Sequence, residues 1–282
     1  MSQASTSNFL RAMAESSQAR YEAAYAHLND DQLRHLLSDV AAPLPLQLQA
    51  SGFDLIAEVK RRSPAEGELS DQQLSSVEQA NAYIAGGAVA ISVLTEPERF
   101  SGSLDDLSAI AAAAGNVPVM RKDFLVNAYQ IREARLAGAS GVLLIAAILS
   151  AEQLAEMLVT ALELQMFVLL EVFDVADVEK VLPVLANAGP VFSEGRCQLL
   201  LGVNCRDLKD LQVNFSSFET MAELLPDSMP WVAESGLQTT EQAGLLASWG
   251  YRLALAGSTL MRSDNPQQSL RDLTAAGRAA CL

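Results

Sequence analysis

The sequence predicts a single-domain (β/α)8 TIM barrel with an N-terminal helical extension. Three observations carry that expectation. Short apolar runs of strand length recur along the chain and alternate with helical patterns. Several of these runs end in charged or polar residues: Leu55-Ile56-Ala57-Glu58-Val59-Lys60, Pro118-Val119-Met120-Arg121-Lys122-Asp123, Phe167-Val168-Leu169-Leu170-Glu171, Leu200-Leu201-Gly202-Val203-Asn204 and Trp231-Val232-Ala233-Glu234-Ser235. Chemistry gathered at the carboxyl ends of successive buried strands is the layout of a barrel enzyme. The length, 282 residues, suits one such barrel of about 250 residues plus an extension.

The extension comes first, over residues 1–48. Phe9, Leu10, Met13, Tyr21, Ala24, Tyr25 and Leu28 recur at near-helical spacing, and Leu33, Leu36 and Leu37 continue it. Residues 8–37 therefore read as helix, ended by Pro43 and Pro45. This segment is expected to pack on the catalytic barrel of residues 49–282 as part of one domain.

Candidate strands then follow at 54–60, 88–95, 117–122, 141–146, 166–172, 199–204, 230–235 and 252–257. Helical patterns fill the intervals. Leu74, Val77, Ala80 and Ile84 mark the first, and 131–136, 154–164, 175–185, 218–225 and 241–249 mark others. Ser150-Ala151-Glu152-Gln153 and Thr239-Thr240-Glu241-Gln242 are capping-box patterns at helix starts. Gly87, Gly138 and Gly250 stand where helices stop and strands begin, as left-handed terminators do. Eight β-α alternations predict an all-parallel sheet. Residues 188–198 form a long, turn-rich connection that reads as a surface insertion. The last four residues, 279–282, read as a frayed helix end.

Composition narrows the functional classes. The chain is 50% hydrophobic, enough to bury roughly three quarters of its unfolded surface in one core. Its formal charge of −15 disfavours nucleic acid and anionic membranes as partners. An anionic substrate must then be held by local donors. Cys197, Cys205 and Cys281 show no CxxC spacing, so neither a disulfide framework nor a zinc site is expected. The only histidines are His27 and His35, which removes histidine from any barrel chemistry. Acid–base work there falls to Glu, Asp, Lys, Cys or Tyr. Residues 1–8 lack the apolar core of a secretory signal. The longest apolar run, Val142 to Leu149, is too short to span a bilayer. A cytoplasmic setting is expected.

Glu58 and Lys60 are two apart, so on a strand they share a face. Charges inside a short apolar run are costly to bury unless paired or put to use. A lone lysine after an apolar run is more often a solvated strand end. Several acids and bases on the strand ends of one barrel face reverse that reading.

The motifs point to a family. Ile56-Ala57-Glu58-Val59-Lys60-Arg61-Arg62-Ser63-Pro64 resembles the opening signature of the indole-3-glycerol-phosphate synthases. Ile91-Ser92-Val93-Leu94-Thr95 with Phe100-Ser101-Gly102-Ser103-Leu104, and Arg121-Lys122-Asp123-Phe124, look like the same family. So do Gly202-Val203-Asn204-Cys205-Arg206-Asp207-Leu208, Ala233-Glu234-Ser235-Gly236 and Gly257-Ser258-Thr259-Leu260-Met261-Arg262. The resemblance runs in order over residues 50–265. It implies a carbon–carbon lyase of tryptophan biosynthesis acting on a phosphorylated small molecule, 1-(2-carboxyphenylamino)-1-deoxyribulose 5-phosphate. Ring closure proceeds with loss of carbon dioxide and water, and no metal or organic cofactor is implied.

By the same resemblance, Lys122 is the acid for condensation and Glu171 transfers a proton with the intermediate. Lys60, paired with Glu58, is the acid in dehydration. Asn204 and Arg206 orient the substrate, Arg206 by bidentate contacts to the anthranilate carboxylate; its alternative is a surface ion pair with Asp207 or Asp210. Glu234 holds the lysines in place by charge, or serves as a purely structural partner. Phe100, Phe124 and Leu143 would line a slot for the aromatic ring.

The phosphate site has separate support. Barrels often bind phosphate with the loops after strands seven and eight. Ser235-Gly236 and Gly257-Ser258 stand there, where glycine lets backbone N–H groups approach an anion. Ser63 would add a hydroxyl. Pro64 would stiffen the loop after the first strand. Ala65-Glu66 departs from the family, which has Ser and a basic residue there, and Cys205 replaces a polar residue. These departures keep open a repurposed or non-catalytic phosphosugar-binding paralogue. An isomerase of the ribulose-phosphate-binding barrels is the other alternative. A monomer is expected, with a weak homodimer as the alternative.

Overall fold

The computed structural model describes residues 8–48, 52–63, 67–68, 74–187, 191–193, 196–206 and 212–281. Eight parallel strands close into one barrel: β1 (Asp54–Val59), β2 (Ala90–Leu94), β3 (Val119–Lys122), β4 (Gly141–Ile145), β5 (Phe167–Val172), β6 (Leu199–Asn204), β7 (Trp231–Glu234) and β8 (Leu253–Ala256). They pair in chain order, and β8 returns to β1 with Ala254 opposite Leu55. Every strand lies inside the range predicted for it.

Strand period explains the layering. Ile56, Ala90, Met120, Leu143, Phe167, Leu169, Leu200, Val232, Leu253 and Leu255 fill the barrel lumen as one cluster. Their neighbours in sequence, such as Leu55, Ala57, Ile91, Val119, Val142, Val168, Leu201 and Ala254, join the cluster between sheet and helices. A strand buried on both faces must be apolar throughout. That is why the polar residues at strand ends stood out in the sequence.

The helices are α1 (Asn8–His27), α2 (Asp30–Leu37), α3 (Ser76–Gly86), α4 (Pro97–Phe100), α5 (Leu104–Ala113), α6 (Ala128–Leu136), α7 (Ala151–Glu163), α8 (Val175–Ala186), α9 (Ser217–Ala222), α10 (Thr240–Ser248), α11 (Ser258–Met261) and α12 (Pro266–Ala280). Ser150 and Thr239 form capping boxes with Gln153 and Gln242. Gly87, Gly138 and Gly250 take φ of 96°, 93° and 95°. Helix α5 was not anticipated, and of α12 only the end near residues 279–282 was expected. Ser103, which accepts from the Asp106 N–H, and Pro266 at the start of α12 were the available signals.

Two sequence expectations need correction. The helix of residues 8–37 is two helices, because the Asn29 side chain accepts from the Gln32 N–H and caps α2 afresh. The connection 188–198 is more than a surface insertion. Among its described residues, Phe192–Ser193 pairs antiparallel with Arg196–Cys197. The Cys197 N–H then donates to the Leu46 carbonyl at 2.9 Å. Leu46 and Cys197 are both buried in the lumen cluster, so this hairpin closes the mouth opposite the strands' carboxyl ends.

The first helices pack across the other mouth. Leu10 and Met13 of α1 join the lumen cluster. Arg20 of α1 donates from both terminal nitrogens to the two oxygens of Asp123, each at 2.8 Å. Arg121 and Thr95 also donate to Asp123. Burial opposes ionisation of this carboxyl, yet these donors outweigh it and hold it at about 2. Further along, the Gln130 amide donates to Ser17, the Tyr129 hydroxyl to the Leu28 carbonyl, and Arg132 pairs with Asp30. Removing a charged hydrogen-bond partner costs about 1.5–3 kcal/mol. Arg20→Ala should therefore lower the unfolding free energy by about that amount in urea titration. An unchanged midpoint would show that Arg121 and Thr95 alone satisfy Asp123.

Candidate active site

The same two-residue period that buries Ile56 sends Glu58 into the lumen at the carboxyl end of β1. Lys122 ends β3, Glu171 stands one residue before the end of β5, and Asn204 and Glu234 end β6 and β7. Glu58 is 5% exposed. Its two oxygens take one ammonium each: Lys60 Nζ at 2.8 Å from Oε1, and Lys122 Nζ at 3.6 Å from Oε2. Burial raises the Glu58 carboxyl, but the two lysines outweigh it and bring it to about 2. Burial likewise resists the charge on Lys122, while Glu58, then Glu171 and Glu234, raise it above the ordinary lysine value. Lys122 is thus held protonated by the carboxylate it shares with Lys60.

Glu234 acts on Lys122 by charge, adding to the effect of Glu58, but forms no ion pair with either lysine among the described residues. Among the described residues, the carboxylate within ion-pair distance of Lys60 and of Lys122 is Glu58. Both Glu234 oxygens are buried, and no nitrogen or hydroxyl donor among the described residues reaches them. The partner of Glu234 is instead the Glu171 carboxyl, with which it shares a hydrogen bond. Burial, then the Glu171 charge, raises Glu234 well above the usual carboxyl range. Burial also raises Glu171, against the pull of Lys122 and the hydrogen bonds from Glu234 and Asn204. The pair therefore holds a proton that Glu234 donates to Glu171. Asn204 completes the group: its Nδ2 donates to Glu171 Oε2 at 3.1 Å, and its Oδ1 accepts from the Arg206 N–H at 3.1 Å.

A cavity of about 750 Å³ opens over these groups. Phe100, Phe124 and Leu143 line it with Glu58, Lys60, Lys122, Glu171, Asn204, Arg206 and Ser235. A second hollow of about 660 Å³ is lined by Ser235, Gly236, Gly257 and Ser258. Glu58, Lys60, Lys122, Arg206 and Ser235 border both, so the charged cluster lies between an aromatic lobe and a loop-lined lobe. Ser235 and Gly236 both have left-handed backbone, φ 68° and 80°. A Cβ at Gly236 would come within 2.8 Å of Val213 and 3.0 Å of Cys205 Sγ, so glycine serves both turn and packing. Gly257 has a further reason to be glycine, because a Cβ there would overlap Glu58 Oε1.

Burial pushes the Cys205 thiol up to about 12, as befits a packing residue. The three cysteines are unpaired. The Ser63 side chain, Pro64, Ala65, Glu66, Asp207, Leu208 and Asp210 lie outside the described residues; the Ser63 backbone pairs with Gly67.

Some lining residues were not legible as site residues. Phe9 and Leu10 of α1 close the aromatic lobe, and the Phe9 ring stands edge-on to Phe124 at 5.9 Å. Their helical spacing marked them as core but not as core of the site. Thr259 and Arg262 border the other lobe. They belong to the final motif, which was the available signal.

Fold and site together define a barrel enzyme of acid–base chemistry, with an aromatic lobe and a loop-lined lobe joined by buried carboxylates and lysines. Residues 10–273 match the family described as indole-3-glycerol phosphate synthase. A relative from a Nocardioides species bearing that description is 41% identical over 86% of this chain and 88% of its own. One from Mycolicibacterium vanbaalenii is 39% identical over 95% of this chain and 94% of its own. The chain belongs to the indole-3-glycerol phosphate synthase family. Among solved structures, 3-hexulose-6-phosphate synthase from Salmonella typhimurium shares the fold with a TM-score of 0.61 at 13% identity, over 80% of this chain and 99% of that one.

The Glu171–Glu234 pair has a consequence for stability. Glu234 keeps its proton in the fold where the unfolded chain has lost it. Its contribution is full below the free value of about 4.3 and is lost as the pH rises towards the folded value. Glu234→Gln removes this dependence and keeps a donor for Glu171. Its melting temperature should exceed that of the parent at pH 8 and approach it at pH 5. A difference that does not vary with pH would contradict the shared proton.

Proposed function

We propose that Glu58, Lys60, Lys122 and Glu171 carry the ring closure that defines this family, a carbon–carbon lyase reaction of tryptophan biosynthesis. The substrate is 1-(2-carboxyphenylamino)-1-deoxyribulose 5-phosphate. Its aromatic ring and the sugar carbonyl must meet between the two lobes. The single observation that supports this most is one buried carboxylate paired with two lysines at the junction of the lobes.

The chemistry requires three proton movements. As the aromatic carbon bearing the carboxylate attacks the sugar carbonyl carbon, the carbonyl oxygen takes a proton from Lys122. Loss of carbon dioxide restores the ring. The new hydroxyl then leaves as water with a proton from Lys60, while Glu171 accepts the ring proton. Glu58 keeps Lys122 charged until it is used and pairs with Lys60. Asn204 orients Glu171, and the hydrogen bond from Glu234 favours the ionised form of Glu171 against the effect of burial.

Substrate groups divide between the lobes. Phe100, Phe124 and Leu143 take the aryl ring, and Arg206 takes its carboxylate. The phosphate lies against Ser235, Gly236, Gly257 and Ser258; Ser63 is assigned to it from the motif alone. Local donors there offset the chain's charge of −15. We also read residues 1–48 and 49–282 as one domain and the chain as a cytoplasmic monomer. Unpaired cysteines suit a reducing compartment. Exposed apolar side chains such as Tyr25, Val159 and Leu245 are spread over separate helices. No helix among the described residues is long and apolar enough to cross a membrane.

A positioned acid contributes about 10²–10⁴-fold. Lys122→Ala should lower kcat by that factor in a fluorescence assay of indole-3-glycerol phosphate formation, with the fold retained although its melting temperature falls through loss of a partner for Glu58. Turnover near the parent rate would remove Lys122 from the mechanism. Absence of turnover in the folded parent, with the substrate bound, would favour a paralogue that lost the chemistry.

A further inference from the structure

Glu171 and Glu234 come from β5 and β7, which are not neighbours; β6 runs between them. Their carboxyls can meet only across a lumen-facing position of β6. Two such positions lie at that level. Asn204, opposite Glu234, supplies a donor to Glu171. Gly202, opposite Glu171, supplies no side chain at all.

Nothing in the backbone calls for glycine there. Gly202 sits inside a regular strand, paired in register on both sides, and is not among the glycines with positive φ. Glycine in a strand interior weakens the strand, and often marks a close approach of another group. Here the approaching group is identified. A Cβ on Gly202 would overlap Glu234 Oε1 and stand 3.1 Å from Glu234 Cδ. It would also stand 2.9 Å from Leu169 Cδ1.

We propose that Gly202 is a positioning residue: its missing side chain is the space through which Glu234 crosses β6 to hydrogen-bond Glu171. The proposal rests on the reading of Glu171 as a proton-transfer group. It adds that the geometry of the pair is set from a third strand. Gly202 borders neither lobe of the cavity. Its influence must therefore pass through Glu234, and it should affect turnover more than substrate binding.

The test is a cycle of four proteins: the parent, Gly202→Ala, Glu234→Ala and the double variant. Misplacing a catalytic group by about an ångström costs on the order of 10²-fold. Gly202→Ala should lose kcat on that order, with KM changed less. The acidic limb of its kcat–pH profile should move to higher pH, because Glu171 loses the donor that favours its ionised form. In the Glu234→Ala background the same alanine should cost about twofold or less, since no carboxyl remains to collide with it. Equal losses in both backgrounds would assign the effect to Leu169 and general packing, and overturn the proposal. So would a Gly202→Ala enzyme with the parent's kcat and profile.

Thermal unfolding of the same four proteins reads the collision without any catalysis. The melting temperature lost to Gly202→Ala should be largely recovered when Glu234 is also alanine. If Gly202→Ala fails to fold but the double variant folds, the collision is confirmed; if neither folds, the proposal fails. Glu171→Gln serves as the separate control. Full activity there would defeat the role given to Glu171 and leave the steric result standing.

Discussion

The site depends on one carboxylate. Glu58 is buried in the lumen, where an unpaired charge would be expensive, and it is tolerated because each of its oxygens faces an ammonium group. The dependence runs both ways. Lys60 and Lys122 reach into the barrel mouth from β1 and β3, and burial alone would strip Lys122 of its proton. Removing one member of such a buried pair typically costs about 3–5 kcal/mol, because the survivor is left uncompensated. The neighbours conform to this unit. Gly257 gives up a side chain so that Glu58 fits, and β8 ends there, at the loop proposed for phosphate.

A second pair of acids works on the opposite principle. Glu171 and Glu234 are buried together, and among the described residues only Asn204 offers them a side-chain amide donor, so one of them retains a proton. The lumen thus holds an ionised carboxylate beside two cations and a carboxylate beside a protonated carboxyl. Two environments within one barrel mouth separate the values of chemically identical groups, and this is how acid and base roles are divided. Both arrangements are held from below by the apolar lumen layers. From above, α1 is clamped by Arg20 on Asp123, the residue that follows Lys122.

What could be read from the sequence followed from local rules. The period of two and the continuous apolar runs placed all eight strands. The same period placed Glu58, Lys60, Lys122, Glu171, Asn204 and Glu234 at one mouth. Spacing could not say which acid meets which base, because partners such as Glu171 and Glu234 are joined only by barrel closure. Glu234 was expected to act on the lysines by charge or to be a structural partner; it acts on Lys122 by charge, and its hydrogen-bond neighbour is another acid. Arg20 and Asp123 are 103 residues apart and carry no mutual signal. The glycines were legible only in part. Gly257 read as a phosphate-loop residue, and Gly202 as part of a motif, and both also serve as space for a side chain on an adjacent strand. The hairpin at 192–197 looked like surface because turn-rich sequence usually is, while Cys197 pairs with Leu46 to plug the barrel.

The most direct test of the Glu58-centred account is titration of the lysine ammonium groups by NMR. The chain contains only four lysines, Lys60, Lys122, Lys180 and Lys209, so nitrogen-15 labelling of lysine gives assignable signals. The account predicts that Lys122 loses its proton above the ordinary lysine value in the parent protein. In folded Glu58→Gln that value should fall below the ordinary one, because burial then acts against the charge with its principal partner gone. A Lys122 titration that is the same in both proteins would contradict the claim that Glu58 organises the site.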